Sequence, residues 1–121
     1  MVDFAEKVNI PDMSHYMRGP DACSLDLMVA VDFTNANGGS GDPAVKGSLH
    51  HQAPGGKLNG YETVLSKIGN IFQRYTSRRF NMWGFGAIAA GGSVCHRIPF
   101  GSEGEVDGVM GLLTAYGKVV R

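Results

Sequence analysis

Two cysteines, Cys23 and Cys95, are too few for a disulfide framework, and neither has Cys-x-x-Cys or zinc-site spacing. A reducing intracellular compartment is therefore the simpler interpretation. An excess of charge is also missing: eleven basic residues balance eleven acidic ones, so no overall field attracts nucleic acid or an anionic membrane. No apolar run reaches the length of a signal-peptide core or a membrane span. These absences predict a cytoplasmic chain that binds neither nucleic acid nor, by itself, a membrane.

Length and glycine content limit the possible architectures. At 121 residues the chain has room for one domain with one core. Its 18 glycines are twice the average usage of about 7% and predict many tight turns. Pro11 and Pro20 interrupt residues 1–24, which we interpret as a lead-in segment with a short helical turn over 12–18. Residues 25–121 then form the predicted domain.

The first predicted element of this domain is a strand over residues 25–32, an almost unbroken apolar run that ends at Asp32. Its lack of alternation predicts burial on both faces, as in a parallel sheet covered by helices. Residues 35–60 are rich in glycine, proline, asparagine and serine, so they predict a long loop that is either functional or disordered. Within this loop, residues 48–51 are expected to touch the edge of the sheet.

Helical spacing is clearest between Tyr61 and Tyr75, where apolar residues recur every three or four positions. We expect Asn59 to cap this helix and Glu62 to lie on its solvent side. The apolar face, which includes Val64, Leu65, Ile68 and Ile71, is expected to pack on the sheet.

The remainder of the chain predicts two more strands and a second helix. A strand over 80–88, a glycine turn, and an edge strand over 94–100 that contains a proline together predict a hairpin. Ser102 and Glu105 have capping-box spacing, which predicts that an amphipathic helix begins there and continues to Tyr116. This order of elements is typical of an α/β fold.

Asp32 and Thr34 are the candidate metal ligands. Asp32 ends the first predicted strand and Thr34 follows it, at the kind of sheet edge where ligands collect in open α/β folds. Residues 32–36 have the Asp-x-Ser-x-Ser spacing of a metal-ion-dependent adhesion site, with Thr34 in place of the first serine. A carboxylate and a hydroxyl at this spacing are hard oxygen ligands for a divalent cation. Ala36 offers no oxygen, and an aspartate that only ends the strand and binds loop amides is an equally good interpretation.

The other motifs in the sequence give weaker support for a catalytic or binding site. An aspartyl phosphotransferase needs an acidic proton donor two residues after its nucleophile, and Thr34 stands at that position. The pairs His50-His51 and Cys95-His96 consist of neighbours that point in opposite directions, so we interpret these histidines as surface or loop residues. Arg78-Arg79 suits a helix end and is too small for a nucleic-acid site. Without a Ser/His/Asp or Cys/His arrangement, the sequence predicts that the protein is not an enzyme.

Several blocks taken together resemble the A domain of the copine family, which is similar to the von Willebrand factor A fold. These blocks are Val31-Asp32-Phe33-Thr34, Ser48-Leu49-His50, Gly84-Phe85-Gly86-Ala87 and the segment from Gly108-Val109 to Ala115-Tyr116. The resemblance covers about residues 13 to 120, in order. It implies the first half of a layered, Rossmann-like sheet with flanking helices.

The resemblance also implies a function. Copines are calcium-dependent phospholipid-binding proteins, and their A domain is the protein-binding end. For this chain it implies a protein-interaction module, with Mg²⁺ or Mn²⁺ bound weakly or not at all at Asp32 and Thr34. Ca²⁺ would be used only by the lipid-binding domains of a parent protein, which would be cytoplasmic and membrane-associated.

The same resemblance implies that the opening strand is central in a complete A domain. The first half alone would leave one edge of residues 25–32 without a neighbouring strand, and unpaired edges with apolar faces tend to associate. We therefore expect a homodimer, or the exchange of segments between copies. Two alternatives stay open: a small phosphotransferase-like enzyme that uses Asp32, and a truncated product without independent function.

Overall fold

The computed structural model describes residues 25–121, so the predicted lead-in over 1–24 and its helical turn lie outside the described residues. Within the described part the fold is mixed α/β, as the sequence predicts. The elements are β1 (Met28–Asp32), α1 (Gly60–Phe72), β2 (Arg79–Phe85), β3 (Ala87–Ile88), β4 (Val94–Cys95), β5 (Ile98–Pro99), β6 (Glu105–Asp107) and α2 (Gly108–Val120).

Strand β2 lies at the centre of the main sheet. β1 runs parallel to one of its edges, with Met28 opposite Asn81 and Asp32 opposite Phe85. β5 and β6 are antiparallel to the other edge, one near each end of β2. The parallel pair brings the carboxyl ends of β1 and β2 together, and Asp32 lies at this end of the sheet.

The core lies between the sheet and the two helices, which also pack against each other. Alternate residues of β2 point into it, because side chains of a strand alternate between the two faces of the sheet. Four side chains from both layers are completely buried: Phe80, Met82, Leu112 and Tyr116. Such a contiguous apolar cluster is the main source of stability for a domain of this size.

β1 is covered on only one face within residues 25–121. Val31 is buried, whereas Met28 is 71% exposed and Ala30 is also exposed. The prediction of burial on both faces is wrong for the described residues, because both helices contribute to a single core on one side of the sheet.

Helix α1 begins at the predicted cap. The Asn59 side chain accepts a hydrogen bond from the Glu62 amide at 2.9 Å, and the Glu62 carboxylate accepts one from the Asn59 amide at 2.9 Å. This capping box holds Glu62 against the protein, so its predicted place on the solvent side is wrong. On the predicted apolar face only Leu65 is buried, while Val64, Ile68 and Ile71 are exposed, because no described element packs over that flank.

The predicted hairpin is divided into two parts. β2 ends at Phe85, Gly86 has a positive φ of 81°, and the chain continues as β3, which pairs with β4 in a separate two-stranded sheet. β5 then returns to the edge of β2, with Pro99 opposite Trp83. Glycine at position 86 allows this left-handed turn, which changes the direction of the chain.

The second helix begins later than the capping-box spacing predicts. Ser102 and Glu105 close a turn through two backbone hydrogen bonds, from the Glu105 amide to Ser102 O at 2.9 Å and from the Ser102 amide to Glu105 O at 3.2 Å. Residues 105–107 then extend along β2 as β6. Gly104 allows this turn to press against Trp83, since a Cβ there would lie 2.3 Å from the indole ring. The predicted helix start is therefore wrong, because pairing with β2 takes the first predicted helical turn into the sheet.

Candidate functional site

Asp32 ends β1 in a hydrogen-bonded turn. Its Oδ1 atom accepts a hydrogen bond from the Thr34 amide at 2.7 Å. Hydrogen bonds from the Thr34 backbone, and then from the Thr34 side chain, hold the pKa of the Asp32 carboxyl below its ordinary value. The carboxylate is therefore ionised at neutral pH, and it lies close to the Thr34 hydroxyl on one side of the turn.

Asn37 closes this turn from within the protein, where it is buried. Its Nδ2 atom donates to the main-chain oxygens of Asp32 at 2.8 Å and of Thr34 at 3.0 Å. Its Oδ1 atom accepts a hydrogen bond from the Tyr61 hydroxyl at 2.5 Å. The amide orientation is fixed by these partners, and Asn37 connects the turn to the first turn of α1.

His50 is completely buried beneath the turn, so its interpretation as a surface or loop histidine is wrong. Its ring stacks between Phe33, with centroids 4.5 Å apart, and Tyr61, at 4.1 Å. Nε2 lies 2.7 Å from the main-chain oxygen of Asp32. Because a carbonyl oxygen only accepts, Nε2 carries the proton. Contact between residues 48–51 and the sheet edge is confirmed, and it is made by this buried ring.

Tyr116 and Asn59 complete the polar cluster. Nδ1 of His50 accepts a hydrogen bond from the Tyr116 hydroxyl at 2.8 Å, and that hydroxyl accepts one from Asn59 Nδ2 at 3.2 Å. Burial raises the pKa of Tyr116 to about 12 and lowers that of His50. Both rings are therefore neutral at pH 7, which suits a site beneath a strand end in an apolar core.

Beside Thr34 a cleft of about 750 Å³ opens between the loop after β1 and the β3–β4 hairpin. One wall carries oxygen-bearing side chains, among them Ser40 and Asp42, and the other carries the apolar Ile88 and Val94. The Asp42 carboxylate accepts a hydrogen bond from the Ala44 amide at 2.9 Å, which orders this wall. The cleft offers polar and apolar contacts next to the candidate ligands.

The donor set at the strand end fits a lightly held magnesium-type ion. Asp32 and Thr34 provide a carboxylate and a hydroxyl, and Mg²⁺ commonly keeps several waters beside one or two protein oxygens. Ala36 is exposed and adds no ligand atom. Among residues 25–121 no group of three or more His, Cys, Asp or Glu side chains could hold a metal.

Sequence reasoning missed most of the cluster beneath the turn. It identified Asp32, Thr34 and the cap Asn59, but it considered Tyr61 and Tyr116 only as residues at helical spacing and His50 as a surface or loop residue. The available signal was the Ser48-Leu49-His50 block, one of the blocks that carry the resemblance to the copine A domain. Neither Cys95-His96 nor Arg78-Arg79 reaches the cluster.

Within the described residues no helix is long and apolar enough to cross a membrane.

Comparison with known proteins places this chain in a family. The copine family model matches residues 48–121. Protein BONZAI 1 of Arabidopsis thaliana is 41% identical over 96 residues, covering 76% of this chain and 16% of that protein. Copine-B of Dictyostelium discoideum is 36% identical over 114 residues, covering 93% of this chain and 20% of that protein. Copine-E of the same organism is 32% identical over 111 residues, covering 91% of this chain and 18% of that protein. The chain thus spans a fifth or less of the length of these relatives, and it belongs to the copine family.

Proposed function

We propose that this chain is part of the protein-interaction module of a copine-like, calcium-dependent phospholipid-binding protein, and that it is not an enzyme. Membership of the copine family supports the parent's class. In this proposal Ca²⁺ and lipid are bound by other domains of the parent, which carry a cytoplasmic protein to the membrane. The present segment contacts a protein partner and binds neither nucleic acid nor lipid.

The observation that carries the proposal is the pair of oxygen donors at the carboxyl end of β1. Asp32 is ionised and ordered by Thr34, and the cleft beside Thr34 gives a partner both polar and apolar surface. A divalent ion held there would join the carboxylate to an oxygen of the partner. Because Ala36 stands where the motif has its third ligand, a serine, we propose that Mg²⁺ or Mn²⁺ is bound only weakly.

Calorimetry of the 121-residue chain with Mg²⁺, Mn²⁺ and Ca²⁺ tests this proposal. We expect weak binding of Mg²⁺ or Mn²⁺ that Asp32→Ala abolishes. Ala36→Ser restores the missing hydroxyl and is expected to strengthen binding by about tenfold, the size of effect typical of one supporting group at a metal site. Equal affinity of Ala36→Ser and the natural chain would contradict a site built on this motif.

The alternative of a phosphotransferase is tested on the same proteins. Incubation with a small acyl-phosphate donor and mass spectrometry would detect phosphate on Asp32. We expect none, because Thr34 stands where a proton donor is needed and its amide already occupies Asp32 Oδ1. Phosphate incorporation that is lost in Asp32→Ala would overturn the assignment as a binding module.

A further inference from the structure

The main-chain oxygen of Asp32 accepts hydrogen bonds from two separate segments of the chain. Its donors are Asn37 Nδ2 at 2.8 Å and His50 Nε2 at 2.7 Å. The Tyr61 hydroxyl oxygen lies 3.0 Å away, but its single proton is donated at the shorter distance, to Asn37 Oδ1. A carbonyl oxygen has two lone pairs, so its capacity is fully used. The peptide that follows the candidate carboxylate ligand is thereby held in one orientation.

Asn37 links Tyr61 to the main chain of both candidate ligands through hydrogen bonds. The Tyr61 hydroxyl lies 2.5 Å from Asn37 Oδ1, which turns the amide nitrogen toward the turn. That nitrogen donates to the main-chain oxygens of Asp32 and Thr34, at 2.8 and 3.0 Å. One amide therefore holds the backbone on both sides of Phe33, and the hydroxyl from α1 sets its direction.

We infer that Tyr61 is a positioning residue for a divalent cation at Asp32 and Thr34, acting through Asn37. This inference rests on the proposed function. Mg²⁺ and Mn²⁺ sites with few protein ligands depend on the spacing of those ligands, because Mg²⁺ requires nearly octahedral geometry. The Tyr61 hydroxyl sets this spacing from beneath the turn without touching the ion.

A matched pair of tyrosines separates positioning from general stability. Tyr61→Phe and Tyr116→Phe each remove one hydroxyl from the same stacked cluster and keep the ring. The Tyr116 hydroxyl bonds to His50 and Asn59, so it reaches residues 32–37 only through the His50 ring and makes no direct hydrogen bond to Asn37. Tyr116 is completely buried whereas Tyr61 is only partly buried, so a purely structural effect should be at least as large in Tyr116→Phe.

The first readout is Mn²⁺ affinity of the 121-residue chain, measured with Mn²⁺ alone by electron paramagnetic resonance. We expect Tyr61→Phe to weaken binding by about tenfold, and Tyr116→Phe to change it by less than about twofold. Equal losses in both variants would assign the effect to stability and overturn the inference.

The second readout needs no metal, so it stays informative if the natural chain does not bind Mn²⁺. The Thr34 amide donates to the Asp32 carboxylate at 2.7 Å, and such a short charge-assisted bond moves the amide proton resonance downfield and slows its exchange. We expect Tyr61→Phe to move this resonance upfield and speed its exchange, while Tyr116→Phe, which reaches Asp32 only through the His50 ring, changes both much less. An unchanged Thr34 amide in Tyr61→Phe would overturn the inference.

A double-mutant cycle tests the route through Asn37. Asn37→Ala is expected to reproduce the loss of Thr34 amide protection. If Tyr61 acts through Asn37, then Tyr61→Phe will add little in the Asn37→Ala background, because the two side chains form one unit. Additive effects of the two substitutions would contradict this route.

Discussion

His50 is neutral because it is buried between two aromatic rings and its Nδ1 atom accepts the Tyr116 proton. Burial lowers its pKa below the ordinary value of 6.5. The unfolded chain therefore takes up this proton at a higher pH than the folded chain does. The stabilisation is complete above pH 6.5 and is lost as the pH falls through the folded-state pKa.

We therefore expect the free energy of unfolding to fall between about pH 7.5 and about pH 5.5. Urea denaturation at both pH values measures the decrease, and His50→Gln should reduce it. The control is the neighbouring His51→Gln, which also removes a histidine but leaves the stacked cluster of His50, Phe33 and Tyr61 intact. The pKa of Asp32 is also lowered, but from 3.8, so its contribution is lost only at more acid pH. A pH dependence that is the same in His50→Gln and the natural chain would contradict this assignment.

Gly86 lies against the candidate ligand Thr34. A Cβ at this position would be 2.5 Å from Thr34 Cγ2, and the positive φ of 81° adds strain for any other residue. Gly39 has a similar φ of 88°, but a Cβ there would meet no atom within 4 Å. Gly39→Ala is therefore the control that has the backbone strain without the steric clash. We expect Gly86→Ala to lower the free energy of unfolding by about 1–3 kcal/mol more than Gly39→Ala does. Equal losses in urea denaturation would mean that Thr34 moves aside freely.

At the scale of elements, the two helix starts differ in a way that can be measured. Asn59 caps α1 through a complete capping box and also donates to His50 O and the Tyr116 hydroxyl. The side chain of Asp107, the cap residue of α2, makes no capping hydrogen bond. We expect Asn59→Ala to lower the free energy of unfolding by about 2 kcal/mol or more. Asp107→Ala should have a much smaller effect in the same thermal or urea titration, and losses of similar size would contradict this ranking.

Elements that depend on local signals were predictable from the sequence. The cap and apolar spacing of α1 are contained within a few turns, and Asp32 and Thr34 follow directly from the end of an apolar run. The start of α2 was not predictable, because Glu105–Asp107 is held by pairing with Arg79–Asn81, far away in the chain. Local capping-box spacing could not indicate that partner.

The polar cluster was hidden for the same reason. His50 is 18 residues from Asp32 and 66 residues from Tyr116 along the chain, yet it hydrogen-bonds to both. A histidine in a glycine-rich loop and a tyrosine at helical spacing each have a common interpretation when considered alone. Only the fold shows that they are partners in one buried network.

At the scale of the whole molecule, β1 combines an apolar flank with an edge that no other strand within residues 25–121 pairs with. The main-chain groups of Leu27 and Phe33 bond to β2, so those of Met28 and Ala30 turn away from it, as alternation requires. Next to this edge lies an apolar groove of about 260 Å³, lined by β1 and by residues of both helices that include Val64, Ile68 and Leu112. Exposed strand edges beside apolar surface pair with other chains.

We therefore predict that the 121-residue chain, studied alone, self-associates through β1. The edge of β1 is self-complementary. In an antiparallel pair of two copies related by a two-fold axis, Met28 of each copy lies opposite Ala30 of the other, and their main-chain groups hydrogen-bond to each other. Sedimentation velocity over about a hundredfold range of concentration should show an average mass that rises with concentration. Met28→Lys should reduce this rise by placing a charge at the edge, whereas Met110→Lys, at an equally exposed methionine of α2, should not. A natural chain that is monomeric throughout, or equal effects of the two lysine variants, would show that the β1 edge does not drive association.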